Sequence, residues 1–223
     1  SVLTVGAELV LGVSVAALLA RQFAGRGVVR LLLLLPWAVP TVVAGKMWEW
    51  LFNYDAGLLN TVLARLAGEA ARVDWLGSLP AAYISLGVAD VWKTTPYVIF
   101  LSLAALIGLD PDIIAAARLD GASPRRIVLN IVLPMIAPAL LVIAAFRMID
   151  AFRVFDLIYV LTGGSPGGAT TSVSLLAYQK LFVTGEYAYA AAVSTISFLL
   201  FLVLAVGYLR MYRQARSFRG GAL

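Results

Sequence analysis

Residues 115–134 read AAARLDGASPRRIVLNIVLP. This segment is charged and rich in turn-forming residues, although it lies between two of the most apolar runs of the chain. Asp and Arg each cost about 2.5–3.5 kcal/mol at the centre of a membrane-spanning helix. We therefore expect this segment to form a link outside the hydrocarbon, between two spans.

The composition of the whole chain is that of a membrane protein. Of its 223 residues, 62% are hydrophobic and 13% are charged, and the mean hydropathy is +0.94. The sequence has no Cys and no His, which removes thiol chemistry, the usual general base and the commonest transition-metal ligands. We expect neither an enzyme nor a metal site. The net charge of +5 suits basic loops on one side of a membrane, so we expect no nucleic-acid partner.

Five apolar runs are long enough to cross a hydrocarbon core of about 30 Å, which takes about 20 helical residues. They run from Val2 to about Ala20, about Val28 to Leu51, about Ala81 to Leu106, about Val132 to Leu161 and about Ala188 to Leu209. The sequence thus predicts an all-α, polytopic transmembrane bundle. We treat residues 1–223 as a single transmembrane domain.

The distribution of arginines predicts the orientation of the chain. Two alternate links and the tail hold most of them, namely Arg21, Arg26, Arg30, Arg118, Arg125, Arg126, Arg210, Arg213, Arg216 and Arg219. Because Lys and Arg are enriched in cytoplasmic loops, we expect the C-terminus inside and Ser1 outside. A start without Met on the outer face leads us to expect at least one further N-terminal span, missing from this sequence.

The charged link carries local signals for two short helices, an elbow over about 110–133. Asp110 can cap the first helix, and Gly121 fits its left-handed end. Ser123 and Pro124 repeat the cap and the Pro start for the second helix. From the residues alone, an ordinary surface elbow and a docking helix are equally good interpretations.

Several charged residues fall inside the predicted spans: Lys46, Glu49, Asp90, Lys93, Arg147, Asp150, Arg153 and Asp156. The four charges of the fourth span would cost about 12 kcal/mol against lipid, while its apolar neighbours return only about 5–9 kcal/mol. These side chains must therefore face protein or water. Ion pairs that hold helices together are one interpretation, favoured for Lys46 with Glu49. For Glu8, alone in the first span, we expect a helix-packing contact.

The elbow and three longer stretches resemble a known family. The elbow spacing of two Ala, a Gly and an Ile-x-Leu-Pro ending is similar to the cytoplasmic signature of binding-protein-dependent ABC importer permeases. Here these residues are Ala116, Ala117, Gly121, Ile131, Leu133 and Pro134. RGVVRLLLLLPWAVPTVVAGKMWEWLFN, ADVWKTTPYVIFLSLAAL and FRVFDLIYVLTGGSP resemble the carbohydrate-uptake group, specifically the first of two related permeases in maltose- and trehalose-type systems. The resemblance covers nearly the whole chain.

The resemblance implies the type I ABC importer permease fold and a function for the elbow. In this family the elbow is the coupling helix, which sits in a cleft of an ATP-hydrolysing subunit. The expected coupling residues are Asp112, Ala115, Ala116, Ala117, Asp120, Gly121 and Ala122. Ala115 replaces the leading Glu of the motif, so Asp112 or Asp120 substitutes for that charge, or coupling rests on shape.

The resemblance also implies partners and a location. They are a second homologous permease, two cytoplasmic subunits that bind ATP and Mg²⁺, an extracytoplasmic sugar-binding protein and membrane lipid. This chain itself would bind no cofactor and would sit in the bacterial inner membrane. The expected solute is a di- or oligosaccharide such as maltose or trehalose. Alternatives are a permease for a polyamine, phosphate or metal complex, or a proton-coupled secondary transporter.

The expected substrate pathway joins polar and aromatic residues of the third and fourth spans. A sugar needs clustered hydrogen-bonding groups with an aromatic face nearby. In the family, polar residues of these two spans line the pathway at mid-membrane. The candidates are Asp90, Lys93, Thr94, Tyr97, Phe152, Arg153 and Asp156.

Overall fold

The computed structural model describes residues 1–220, with side chains up to Tyr208 and at Arg210. Within this range the regular structure is helical. The helices are α1 (Val2–Leu19), α2 (Arg26–Ala38), α3 (Thr41–Leu51), α4 (Leu58–Ala67), α5 (Leu79–Ile107), α6 (Pro111–Leu119), α7 (Pro124–Ile127), α8 (Leu133–Phe152), α9 (Asp156–Leu161), α10 (Val173–Tyr178) and α11 (Tyr187–Gly220). A 3-10 turn at Glu69–Ala71 and π-helical turns at Val128–Val132 and Gln179–Val183 complete the order. Arg213, Arg216 and Arg219, predicted for the cytoplasmic tail, lie outside the described side chains.

Four continuous helical segments of the described chain are long and apolar enough to cross a membrane. They are α1, α5, the run from α7 through α8 (Pro124–Phe152), and α11 as far as Tyr208. The predicted all-α transmembrane bundle is therefore confirmed. The 29 residues of α5 span about 44 Å at 1.5 Å per residue. This helix therefore places the 52–78 loop and the 110–124 elbow at opposite ends of the bundle.

The second predicted span is not continuous. α2 and α3 together are long and apolar enough for the span predicted from Val28 to Leu51, but they meet at 92°. Pro40 has no N–H to continue the helix, and it favours an extended residue before it. Val39 accordingly has φ −67° and ψ 132°.

The fourth predicted span was wrong at its end. It was expected to reach Leu161, but α8 ends at Phe152 and a new helix, α9, starts at Asp156. The break frees the backbone carbonyl of Arg153, which accepts a hydrogen bond from Ser174 Oγ at 3.0 Å. Asp156 gains a place in the first turn of α9, where the helix dipole favours a carboxylate.

α1 and α5 pack closely along most of their length. A Cβ atom added to Gly12 would lie 2.5 Å from Val98 Cγ1, so only glycine fits at this contact. Towards the elbow end of α5, Leu19 and Ile99 belong to a cluster of buried apolar side chains. Because Gly12 has no side chain, the two helices can approach closely enough for these apolar side chains to pack without gaps.

The 52–78 cap, the loop between α3 and α5, is fixed by one fully buried amide. Asn60 Nδ2 donates to the carbonyls of Tyr54 (3.1 Å) and Val73 (2.9 Å). Its Oδ1 accepts from the Val73 amide (3.0 Å) and from Trp75 Nε1 (2.9 Å). All four hydrogen-bonding positions of this amide are thus used within the cap.

The exposed ion pair between Arg72 and Glu69 also stabilises this cap. Arg72 Nη1 donates to the carbonyls of Tyr54 (3.1 Å) and Asp55 (3.0 Å). Its Nε donates to Glu69 Oε2. This hydrogen bond, with the positive charge of Arg72, lowers the pKa of Glu69 from its ordinary value of 4.5.

The predicted helix–Gly–helix elbow is confirmed. The Asp110 carboxylate accepts from the Asp112 amide at 2.9 Å and caps α6. Gly121 has φ +75°, the left-handed conformation expected after a helix end. Ser123 Oγ accepts from the Arg126 amide at 3.4 Å and caps α7, which continues through the π-helical turn into α8.

Candidate functional site

A buried arginine on α8 is the centre of a charged cluster inside the bundle. Arg147 Nε donates to Glu8 Oε2 at 2.6 Å, and Arg147 Nη2 donates to Glu8 Oε1 at 2.8 Å. Arg147 Nη1 donates to Asp150 Oδ2 at 2.6 Å. Glu8 therefore makes a contact between helices, as expected, and this contact is an ion pair with α8.

Two residues of α5 complete the cluster. Thr94 Oγ1 accepts from Arg147 Nη2 at 3.1 Å and lies 2.9 Å from Glu8 Oε1. Asp90 Oδ2 lies 3.5 Å from Arg147 Nη2. Three carboxylates from three helices therefore surround one guanidinium group.

Lys93 does not join the neighbouring carboxylates. Its ammonium group donates to the carbonyl of Val39 at 2.6 Å and lies 3.4 Å from those of Pro36 and Trp37. These carbonyls belong to the corner between α2 and α3. The partial negative charge of a helix C-terminus attracts a cation, which explains why the nearly buried ammonium lies there.

A cleft of about 390 Å³ opens beside this cluster. Its polar lining consists of Thr41, Asp90, Lys93, Thr94, Asp150, Arg153 and Asp156, and its aromatic lining of Trp37 and Phe155. An adjoining cavity of about 440 Å³ shares Trp37, Thr94, Asp150 and Arg153 with it and adds Tyr97 and Phe146. Such mixed polar and aromatic linings are typical of sites for small polar ligands.

The structure brings most of the predicted pathway residues together. Asp90, Lys93, Thr94, Arg153 and Asp156 all line the same cleft. The other two predicted residues, Tyr97 and Phe152, line neighbouring cavities, and that of Phe152 shares Asp90 with the cleft.

Sequence reasoning left several lining or supporting residues out of the candidate set, among them Glu8, Trp37, Arg147 and Asp150. A signal existed for Arg147 and Asp150, since their charge inside a span required a partner or water. The role of Trp37 depends on the corner between α2 and α3, which turns its ring towards the cleft.

The predicted coupling residues lie on the elbow with unequal exposure. Asp112, Ala115, Ala116, Asp120 and Gly121 are exposed, and Ala122 is half-buried. Ala117 is only 8% exposed, whereas Ala115 and Ala116 are exposed and form a thin outer face of α6. Among the described residues, no cluster of three His, Cys, Asp or Glu side chains has the arrangement of a metal site.

Residues 8–214 match the protein family described as binding-protein-dependent transport system inner membrane component. The chain belongs to this family of permeases. The permease is 44% identical over 216 residues to the trehalose/maltose transport system permease protein MalF of Thermococcus litoralis. It is 38% identical over 208 residues to the trehalose transport system permease protein SugA of Mycobacterium tuberculosis. These alignments cover 97% and 93% of the permease, which spans 72% and 65% of the two relatives' lengths.

Solved structures show the same fold for the permease. A chain of a bacterial alginate ABC transporter, in complex with an alginate pentasaccharide-bound periplasmic protein, superposes with a TM-score of 0.82 at 21% identity. The match covers 96% of the permease and 76% of that chain. A chain of the inward-facing MetNI methionine ABC transporter gives a TM-score of 0.62 at 19% identity, with coverage of 96% and 89%. The predicted fold of an ABC importer permease is confirmed.

Proposed function

We propose that this permease is the membrane-spanning subunit of an ATP-driven importer for a sugar, a di- or oligosaccharide such as trehalose or maltose. The observation that carries the proposal is the cleft lined by Asp90, Asp150, Arg153 and Asp156 within the helical bundle. The names of the two relatives, a trehalose/maltose permease and a trehalose permease, support the solute class.

The chemistry of the cleft suits a sugar. Carboxylates accept hydrogen bonds from hydroxyl groups, and Arg153, 69% exposed in its side chain, can donate to ring and hydroxyl oxygens. Trp37 and Phe155 offer aromatic faces beside these groups. A phosphate would meet three cleft carboxylates, which disfavours that alternative. The roles predicted in the pathway remain our proposal for the whole candidate set, namely Asp90, Lys93, Thr94, Tyr97, Phe152, Arg153 and Asp156.

The elbow is proposed to receive force from a partner ATPase. The exposed alanines of α6 let another surface approach closely, and Asp112 and Asp120 stand at its two ends. ATP and Mg²⁺ would be bound by two such cytoplasmic subunits, and this permease would catalyse nothing. Closure of the ATPase pair would move the elbow and shift the bundle between outward- and inward-open packings.

The remaining partners follow from the same proposal. The exposed apolar side of α11, with Phe198 at 65% and Val203 at 67% exposure, fits a second, homologous permease or lipid. We propose that the elbow lies on the cytoplasmic side of a bacterial inner membrane, with the C-terminus on the same side, and the positive charges of Arg118, Arg125 and Arg126 support this orientation. The sugar-binding protein would dock at the opposite end of α5.

The test is transport by the full-length permease, assembled with its partner subunits in proteoliposomes. We expect ATP-dependent uptake of radiolabelled trehalose or maltose when the binding protein is present. A panel with spermidine and phosphate tests other solutes, and uptake driven by a pH gradient without ATP tests secondary transport. Uptake of a non-sugar solute alone would contradict the sugar assignment, and uptake without ATP would contradict the importer class.

A further inference from the structure

The bidentate ion pair between Glu8 and Arg147 is almost fully buried beside the cleft, and Arg147 also lines the adjoining cavity. Their exposed fractions are 0% and 3%. Two nitrogens of the guanidinium group contact the two carboxylate oxygens, at 2.6 and 2.8 Å. This fork geometry fixes the orientation of the guanidinium plane, which a single contact would not do.

The donors of Arg147 are used within the protein. Beyond Glu8, Nη1 contacts Asp150 at 2.6 Å, and Nη2 contacts Thr94 at 3.1 Å and Asp90 at 3.5 Å. All three guanidinium nitrogens therefore face acceptors of this chain. A solute in the cleft gains little from Arg147 directly, but it meets the carboxylates that Arg147 holds.

The carboxylates of Asp90 and Asp150 remain exposed to the cleft. The side chain of Asp150 is 57% exposed and that of Asp90 is 19% exposed, and both line the cleft. Each contacts Arg147 through Oδ2, at 2.6 Å for Asp150 and 3.5 Å for Asp90, which restrains the position of the carboxylate beside the cleft. The other oxygen of Asp150 lies 3.8 Å from Arg153, a residue already at the cleft surface.

We propose that Glu8 and Arg147 are positioning residues that aim Asp90 and Asp150 at the hydroxyl groups of the transported sugar. Glu8 orients the guanidinium group, and the guanidinium group orients the two cleft carboxylates. This inference rests on the proposed function, because it takes the cleft to bind a polyhydroxylated solute. It assigns a specificity role to a residue of α1, the helix that supplied no candidate from sequence.

Charge-conserving variants test this proposal without leaving a buried charge unpaired. Arg147→Lys keeps the positive charge but loses the planar fork, and Glu8→Asp keeps the negative charge but shortens the side chain by one methylene. In the full-length, assembled importer we expect each to raise the KM for trehalose about tenfold, as when a hydrogen bond to a charged group is misplaced. Vmax and the yield of assembled complex should change much less. Glu49→Asp, in the exposed pair with Lys46, is the matched control and should leave KM unchanged.

A double-mutant cycle separates positioning from a merely structural role. In an Asp90→Asn, Asp150→Asn background, Glu8→Asp should no longer raise KM, because the groups through which it acts are already changed. An unchanged KM in both charge-conserving variants, an additive effect in the cycle, or a lower yield with normal KM would each overturn the proposal. Failure of the wild-type importer to transport any sugar would instead overturn the proposed function.

Discussion

Replacement of Lys93 by Met should destabilise the corner between α2 and α3. The Met side chain fills similar space but donates no hydrogen bond to the carbonyl of Val39, now 2.6 Å from the ammonium group. Pro40 has no N–H, so the carbonyl of Pro36 also lacks its usual helical donor. We therefore expect both carbonyls to lose stabilisation in a place that water reaches poorly.

The magnitude follows from these contacts. A hydrogen bond to a charged group contributes about 1.5–3 kcal/mol, while the two contacts at 3.4 Å add little. Part of this loss is offset because Met carries no charge that must be desolvated. We expect a net loss of about 2 kcal/mol in the free energy of unfolding, which lowers Tm by about 4–8 °C in a chain of this size.

Two measurements check this prediction. Thermal unfolding of the purified permease gives the shift in Tm. Because the sequence has no Cys, spin labels can be attached at two introduced cysteines on the exposed positions Leu32 and Val43, one on each side of the corner. The distance distribution between them should broaden in Lys93→Met. Lys46→Met, on the exposed face of α3, is the control and should stay within about 0.5 kcal/mol of wild type. An unchanged Tm together with an unchanged distance distribution would refute the reasoning.

Three further predictions concern the elbow, a helix contact and the cap. Ala116→Trp should abolish ATP-driven uptake with a normal yield of permease, because it thickens the exposed face of α6. Leu66→Trp, at an exposed position on α4, should transport normally, and normal uptake by Ala116→Trp would remove α6 from the coupling mechanism. Gly12→Ala should cost about 1–3 kcal/mol in thermal unfolding through its clash with Val98, whereas Gly6→Ala on the same helix meets nothing within 4 Å and should be neutral; equal effects would contradict the packing argument. The lowered pKa of Glu69 means that its ion pair with Arg72 keeps its full contribution above the ordinary value of 4.5 and loses it only as the pH falls through the lowered pKa. The protection of cap amides against exchange, relative to the intrinsic rate at each pH, should therefore fall below pH 4.5 in wild type but show no such step in Glu69→Gln, and a step that persists in the variant would assign it to another group.

Local signals predicted the parts of the fold that depend on neighbours in sequence. The elbow is one example: Asp110, Ser123 and Gly121 act on amides and dihedral angles within three residues of themselves. Apolar length likewise predicted α1, α5 and α11. The end of α8 was missed because the Arg153 carbonyl accepts a hydrogen bond from Ser174, 21 residues later. No pattern in the neighbouring sequence predicts that hydrogen bond.

The sequence predicted which types of residue form the candidate site, but not which side chains pair with one another. Charge inside the predicted spans pointed to Asp90, Arg153 and Asp156, which the structure brings to one cleft. The partner of Glu8 is separated from it by 139 residues, and a single sequence gives no means of pairing them. Lys93 illustrates the same limit. Asp90, three residues before it, is the partner that the sequence suggests, but the ammonium group donates to the Val39 carbonyl at the corner that Pro40 creates.

The single amide of Asn60 has a consequence for how fast other proteins can attach to that end of the molecule. An unanchored loop must be ordered at every encounter, at about 1–2 kcal/mol for each residue whose backbone becomes fixed. The four hydrogen bonds of Asn60 meet this cost during folding. A protein that binds the cap therefore contacts an already ordered surface. Its association rate depends on diffusion and orientation instead of on loop rearrangement.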